Sequence, residues 1–146
     1  SMQNYLNKTW ENRALDLPYA SAYEGLTMAS IIEKETGVAD ERPRIAGVFV
    51  NRLNLNMRLQ TDPTVIYAEW IEHGVFDGNI TRSDLRRDHP YNTYAKGGLP
   101  PGPIANPGKK ALLAAVNPTK GKNLYFVSKS NLHVIACGDG SMDGIV

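Results

Sequence analysis

The stretch Met28-Ala29-Ser30-Ile31-Ile32-Glu33-Lys34-Glu35-Thr36, followed by Gly37, decides how this chain is read. Apolar residues crowd its front, two carboxylates close it, and a glycine stands where a helix would stop. At about 100° per residue, Glu35 falls between Met28, Ile31 and Ile32, whereas Glu33 lies beside Leu26, Ala29 and Ser30. A carboxylic acid at the end of an apolar helix is placed for partial desolvation, which raises its pKa and suits a general acid. The plain alternative is an amphipathic helix with solvated acids, and this stretch taken alone favours it.

Outward from there the pattern is mostly helical. Upstream, residues 4–15 set Leu6 and Trp10 four apart, which predicts a lead-in helix ended by Asp16-Leu17-Pro18, so 4–17 is its widest span. Ser21 starts the central helix. Downstream, Asp40-Glu41-Arg42-Pro43 suits a helix start, and Ile45, Ala46, Val48, Phe49 and Leu53 give it a buried face. Leu53, Leu55, Met57 and Leu59 alternate with polar residues, which predicts a turn or a short extended piece. Thr61-Asp62-Pro63 caps a further helix running to His73-Gly74, and Thr81-Arg82-Ser83-Asp84 resembles a capping box. Asn106-Pro107 is expected to cap a last helix over Ala111 to Val116. Leu124 to Val127 reads as a buried strand, with His133-Val134-Ile135 as its partner. The expected class is therefore α+β, mainly helical, with a small antiparallel β element near the C-terminus.

The chain has 146 residues, 16 basic and 15 acidic, with a formal net charge of +1 and no block of like charge. Nothing marks a nucleic-acid footprint. A single cysteine, Cys137, excludes an internal disulfide. No apolar run reaches the ~18–20 residues of a membrane span. Ser1-Met2 does not read as a natural start, so the chain is expected to be a piece of a longer one. His73, His89 and His133 show no metal-ligand spacing, and no phosphate loop or nucleophile elbow is present, so no metal or cofactor is expected. What remains is carboxylate chemistry beside Tyr91 to Asn106, a long loop rich in Tyr, Gly and Pro. Sugar sites combine aromatic faces with amides and hydroxyls, and Gln60, Thr61, Asn92 and Thr93 are the polar candidates. A packing loop whose amides satisfy its own backbone is the equal alternative.

Several motifs in unbroken order carry a resemblance: Met28 to Thr36, Val48-Phe-Val-Asn-Arg-Leu53, Met57-Arg-Leu-Gln-Thr-Asp-Pro-Thr-Val-Ile-Tyr67, Tyr91-Asn-Thr-Tyr94 and Gly98-Leu-Pro-Pro-Gly102. Together they resemble the YceG-like family of bacterial endolytic murein transglycosylases, over roughly residues 10–135. The resemblance implies cleavage of the β-1,4 bond between N-acetylmuramic acid and N-acetylglucosamine, without water. The muramic C6 hydroxyl attacks its own C1 and leaves a 1,6-anhydro end. It implies peptidoglycan glycan strands as substrate, termination of nascent strands, and peptidoglycan synthases as partners. It further implies a single-pass anchor in the inner membrane, absent from this chain, with the catalytic part facing the periplasm. By this resemblance Glu33 is the catalytic acid; beside it, Glu35 is kept as a supporting carboxylate with Arg42 or Arg44 as its candidate partner, and Gln60, Thr61, Asn92, Thr93 and Tyr94 are the expected substrate contacts. Asp62 is read as a cap. One acid suffices because an intramolecular nucleophile removes the need for a second. Hydrolysis of the same bond by a muramidase, and a glycan-binding or scaffolding module without catalysis, are the rival readings. The expected domain covers 3–136, with 137–146 as a divergent or truncated tail.

Overall fold

Ser21 is the point from which the fold is built. Its backbone is extended and its Oγ accepts the Glu24 N–H at 3.4 Å. The Glu24 carboxylate reaches back to the Ala20 N–H at 2.8 Å, so both sides of the helix start are fixed. The helix that follows, α2 (Ala22–Glu35), is the centre of the molecule. The computed structural model describes residues 1–76 and 78–127. Among these, α1 (Met2–Glu11), α3 (Arg42–Asn54), α4 (Asp62–His73) and α6 (Lys109–Val116) all pack against α2, with α6 making the most extensive contact. A short α5 (Arg82–Arg86) lies beside α4, where Asp84 meets Glu69.

The α2–α6 contact is close because α6 presents Ala111, Ala114 and Ala115 along with Leu112, all buried. Met28, Ile31 and Ile32 of α2 meet Val48 and Phe49 of α3 and Leu112 of α6 in one core. Each such aliphatic or aromatic side chain contributes about 1.5–3 kcal/mol by leaving water. Phe49 meets Phe126 edge to face, with ring centres 5.6 Å apart. Gly47 lets α3 lie against the chain beyond α6, since a Cβ there would collide with the Thr119 carbonyl oxygen.

Most helix expectations hold, and the departures have local causes. The lead-in helix ends at Glu11, short of residue 15 or 17. Beyond it the chain turns to dock on α6, where Ala14 N–H bonds the Val116 carbonyl at 2.9 Å and Asp16 adopts φ 62°. The expected antiparallel β element is not supported, as no strand forms among the described residues. Leu124 to Val127 carries buried Tyr125 and Phe126, which is why it reads as a strand. Only isolated bridge positions occur, at Tyr125 and Val127, and Arg52 holds the stretch, its Nε donating to the Leu124 carbonyl at 2.8 Å while the same guanidinium bonds the Arg58 carbonyl at 3.1 Å. The proposed partner His133 to Ile135, and Cys137, lie outside the described residues. No helix among the described residues is long and apolar enough to cross a membrane.

Candidate functional site

Glu33 and Glu35 leave α2 on different faces, as the 100° spacing demands. Glu35 is 1% exposed, and its Oε1 accepts the Thr61 hydroxyl at 2.7 Å. It therefore ties the end of α2 to the start of α4. Of the two arginines, Arg44 pairs with Asp40 at 3.7 Å and Arg42 reaches the Gly37 carbonyl. Thr36 and Glu41, also buried, join through a 2.7 Å hydroxyl-to-carboxylate bond that closes the turn into α3.

Glu33 is half-buried at the surface. Its Oε1 accepts the backbone N–H of Gly108 at 2.6 Å. Gly108, extended at φ −74° and ψ 170°, is the N-cap of α6, two residues later than Asn106-Pro107. The first amides of a helix lack intrahelical partners and carry a partial positive charge, so a carboxylate is a favourable acceptor there. Gly108 has no side chain with which to cap its own helix, and Glu33 supplies an acceptor across the helix pair. One turn earlier, Ser30 Oγ accepts the Ile104 N–H at 3.0 Å and donates to the Thr27 carbonyl at 2.6 Å. The Ile104–Gly108 segment is thus strapped to one face of α2 at both ends.

The five predicted substrate contacts fall into two groups. Thr61, Asn92 and Thr93 are at most 1% exposed. The Thr93 hydroxyl takes the Thr61 N–H at 3.0 Å and meets the Thr64 hydroxyl at 2.8 Å. The Asn92 amide donates to the carbonyls of Asp84, Leu85 and Arg87, and its Oδ1 accepts the Tyr94 N–H. All three brace the loop from within. Gln60 and Tyr94 are partly exposed. Gln60 has φ 51°, an uncommon conformation for a residue with a side chain, and its Oε1 is buried without a hydrogen-bond partner. The Tyr94 hydroxyl donates to Asp62 Oδ1 at 2.5 Å.

The loop from Tyr91 to Asn106 is organised by tyrosines, among them Tyr23, which sequence reading did not single out. Tyr91 lies 4.9 Å from Tyr67, ring centre to ring centre. A Cβ at Gly102 would stand 2.6 Å from the Tyr23 hydroxyl and 3.3 Å from that of Tyr91, so the Pro-Gly turn closes directly on both phenols. Burial pushes the Tyr91 phenol above its ordinary range, and Tyr67 and Tyr23 add to the shift. A groove of about 240 Å³ lies between Lys34 and α4, lined also by Tyr67, Trp70, Phe76 and Ile104. Trp70 is 55% exposed there. Gly108 and Ser30 were also missed. The glycine directly before a helix start was the available signal, but nothing local tells which distant carboxylate it meets.

The sequence pattern of the YceG-like family matches residues 1–137. The chain belongs to the YceG-like family. Two of its relatives, each named endolytic murein transglycosylase, come from Bacillus subtilis and Streptococcus pneumoniae. The Bacillus protein is 49% identical over 115 residues, covering 79% of this chain and 31% of that protein. The Streptococcus protein is 43% identical over 110 residues, covering 72% and 19%. A solved structure of a putative yceG-like protein from Listeria monocytogenes superposes with a TM-score of 0.69 at 44% identity, over 88% of this chain and 38% of that one. The chain thus spans about a third or less of the curated relatives it matches. Its part of the YceG-like pattern contains Glu33, Gly108 and the whole tyrosine-lined loop.

Proposed function

We propose that this domain is the catalytic part of a lyase, an endolytic peptidoglycan transglycosylase, with Glu33 as its acid–base group. The observation that carries the reading is the contrast on α2. Glu33 is accessible and held by one amide, while Glu35 is buried against Thr61. One accessible carboxylate suits a reaction with an internal nucleophile. Glu33 protonates the glycosidic oxygen as the C1–O4 bond breaks. As a carboxylate it then accepts the proton of the muramic C6 hydroxyl, which attacks C1 and closes the 1,6-anhydro ring. No water enters, and the catalyst ends protonated as it began. Positioned acid–base work of this kind is worth ~10²–10⁴-fold.

Gln60, Tyr94 and the exposed Trp70 are the side chains we assign to glycan contact, and Thr61, Asn92 and Thr93 hold the loop that presents them. The domain then works outside the cytoplasm, where glycan strands are, ending nascent strands beside peptidoglycan synthases and tethered by an anchor in the longer protein. The test is product analysis. Peptidoglycan is digested with the wild type and with Glu33→Gln, and the fragments are weighed. Anhydro ends that vanish in the variant carry the proposal. Reducing ends would indicate hydrolysis, binding without cleavage would indicate a glycan-binding module, and equal cleavage by both proteins would remove Glu33 from the mechanism.

A further inference from the structure

Glu33 is a flexible side chain at the surface end of a helix, and general acid–base catalysis requires its oxygen to stay within a few tenths of an ångström of one place. Two of its neighbours supply that constraint. The Gly108 N–H reaches Oε1 at 2.6 Å, a short hydrogen bond. The amide itself is not free to move. It starts α6, whose packing on α2 is the most extensive helix contact among the described residues. The Ile104–Gly108 strap is also pinned one turn away by Ser30, a fully buried hydroxyl. A side chain at position 108 would intrude, since its Cβ would lie 3.1 Å from Oε1.

We propose that Gly108 is a positioning residue for Glu33: its backbone N–H fixes Oε1, and its lack of a side chain leaves the carboxylate undisplaced. Oε2, which makes no hydrogen bond to the described residues, is then the oxygen that exchanges protons with the substrate. This rests on Glu33 being the acid–base group. Glycine is required at 108 for space, not for backbone freedom, because φ −74° and ψ 170° suit any residue, proline included.

That permits a clean test in the intact chain. Gly108→Ala keeps the N–H and shifts the carboxylate by a few tenths of an ångström, so kcat should fall roughly 3-fold. Gly108→Pro removes the donor at an allowed φ, and kcat should fall about 10- to 100-fold, given that ~1 Å of misplacement can cost 10²-fold. KM should stay within about 2-fold in both, because the glycan surface is untouched. A purely structural role for Gly108 would instead lower the melting temperature and leave kcat per folded molecule unchanged. Nuclear magnetic resonance of the labelled protein provides a reading that needs no turnover. The Gly108 amide proton should resonate far downfield and move upfield in Glu33→Ala. An amide that ignores Glu33→Ala, or wild-type kcat in both Gly108 variants, overturns the proposal. Full cleavage by Glu33→Gln is a different result and overturns the reading of Glu33 itself.

Discussion

The two faces of α2 carry the same functional group two residues apart and use it in opposite ways. On the α4 face, Glu35 is sealed in the interior, its Oε1 taken by the Thr61 hydroxyl. On the α6 face, Glu33 is half-open and held by a single backbone amide. A buried carboxylate with a fixed partner is a strut. A surface carboxylate held at one oxygen suits a tool, the role proposed for Glu33, since its other oxygen can exchange a proton. Burial alone would have pointed to Glu35, the more desolvated of the two. The role proposed for Glu33 rests on its accessibility, not on desolvation.

The largest effect that could break this contrast is on activity. Glu33→Gln should reduce cleavage by ~10²–10⁴-fold, the usual worth of a positioned acid–base group, with the melting temperature little changed. Glu35→Gln should leave cleavage per folded molecule within about 3-fold, since it touches no reacting atom. Fragment masses from a time course decide it. If the two variants lose activity equally, the strut and the tool are not separable.

The next effect is on stability and has the opposite order. Glu35→Ala removes the acceptor of a buried hydroxyl and should cost about 1–3 kcal/mol, the penalty for leaving such a group unsatisfied. Glu33→Ala exposes the Gly108 amide to water, which replaces the lost acceptor, so its cost should stay below about 1 kcal/mol. Urea midpoints followed by circular dichroism compare them. A Glu33→Ala variant as unstable as Glu35→Ala would mean that Glu33 is chiefly a cap for α6.

How much of this was legible beforehand follows from the range of each interaction. Ser21, Thr81 and Pro63 announce their helices because capping is settled within four residues. The wheel correctly turned Glu35 inward for the same reason. The strand over Leu124 to Val127 failed because two adjacent buried aromatics look alike whether they face a sheet or are pinned by a distant arginine. Thr61, Asn92 and Thr93 have a polar composition that suits either a sugar or their own loop. Only the fold reveals that Asn92 spends its amide on three carbonyls. The Gly108–Glu33 bond joins positions far apart in the chain, and no local pattern encodes it.

The smallest effect serves as a control away from both carboxylates. The Thr81–Asp84 capping box starts α5, a five-residue helix with no buried residue. Asp84 accepts the Thr81 backbone N–H at 2.9 Å, and this bond, ahead of the neighbouring groups, holds its carboxyl below the usual range. A depressed folded-state pKa means that the ionised form stabilises the native chain. That contribution is complete above the unfolded value of about 3.9 and is lost as pH falls through the lower folded one. Glu69 opposes it, its carboxyl raised first by burial and then by its hydrogen bond with Asp84, so its share is present at low pH and lost as pH rises through its folded value. Asp84→Asn keeps an acceptor but loses the charge, so it should cost about 0.3–1 kcal/mol at neutral pH, the usual worth of an acid in an exposed first helical turn. The difference from wild type should shrink on acidification below about pH 4, where Asp84 protonates in both states. Cleavage per folded molecule should not change. If it does, α5 and the loop that Asn92 braces against it belong to the working site, and the division between strut and tool on α2 is too narrow.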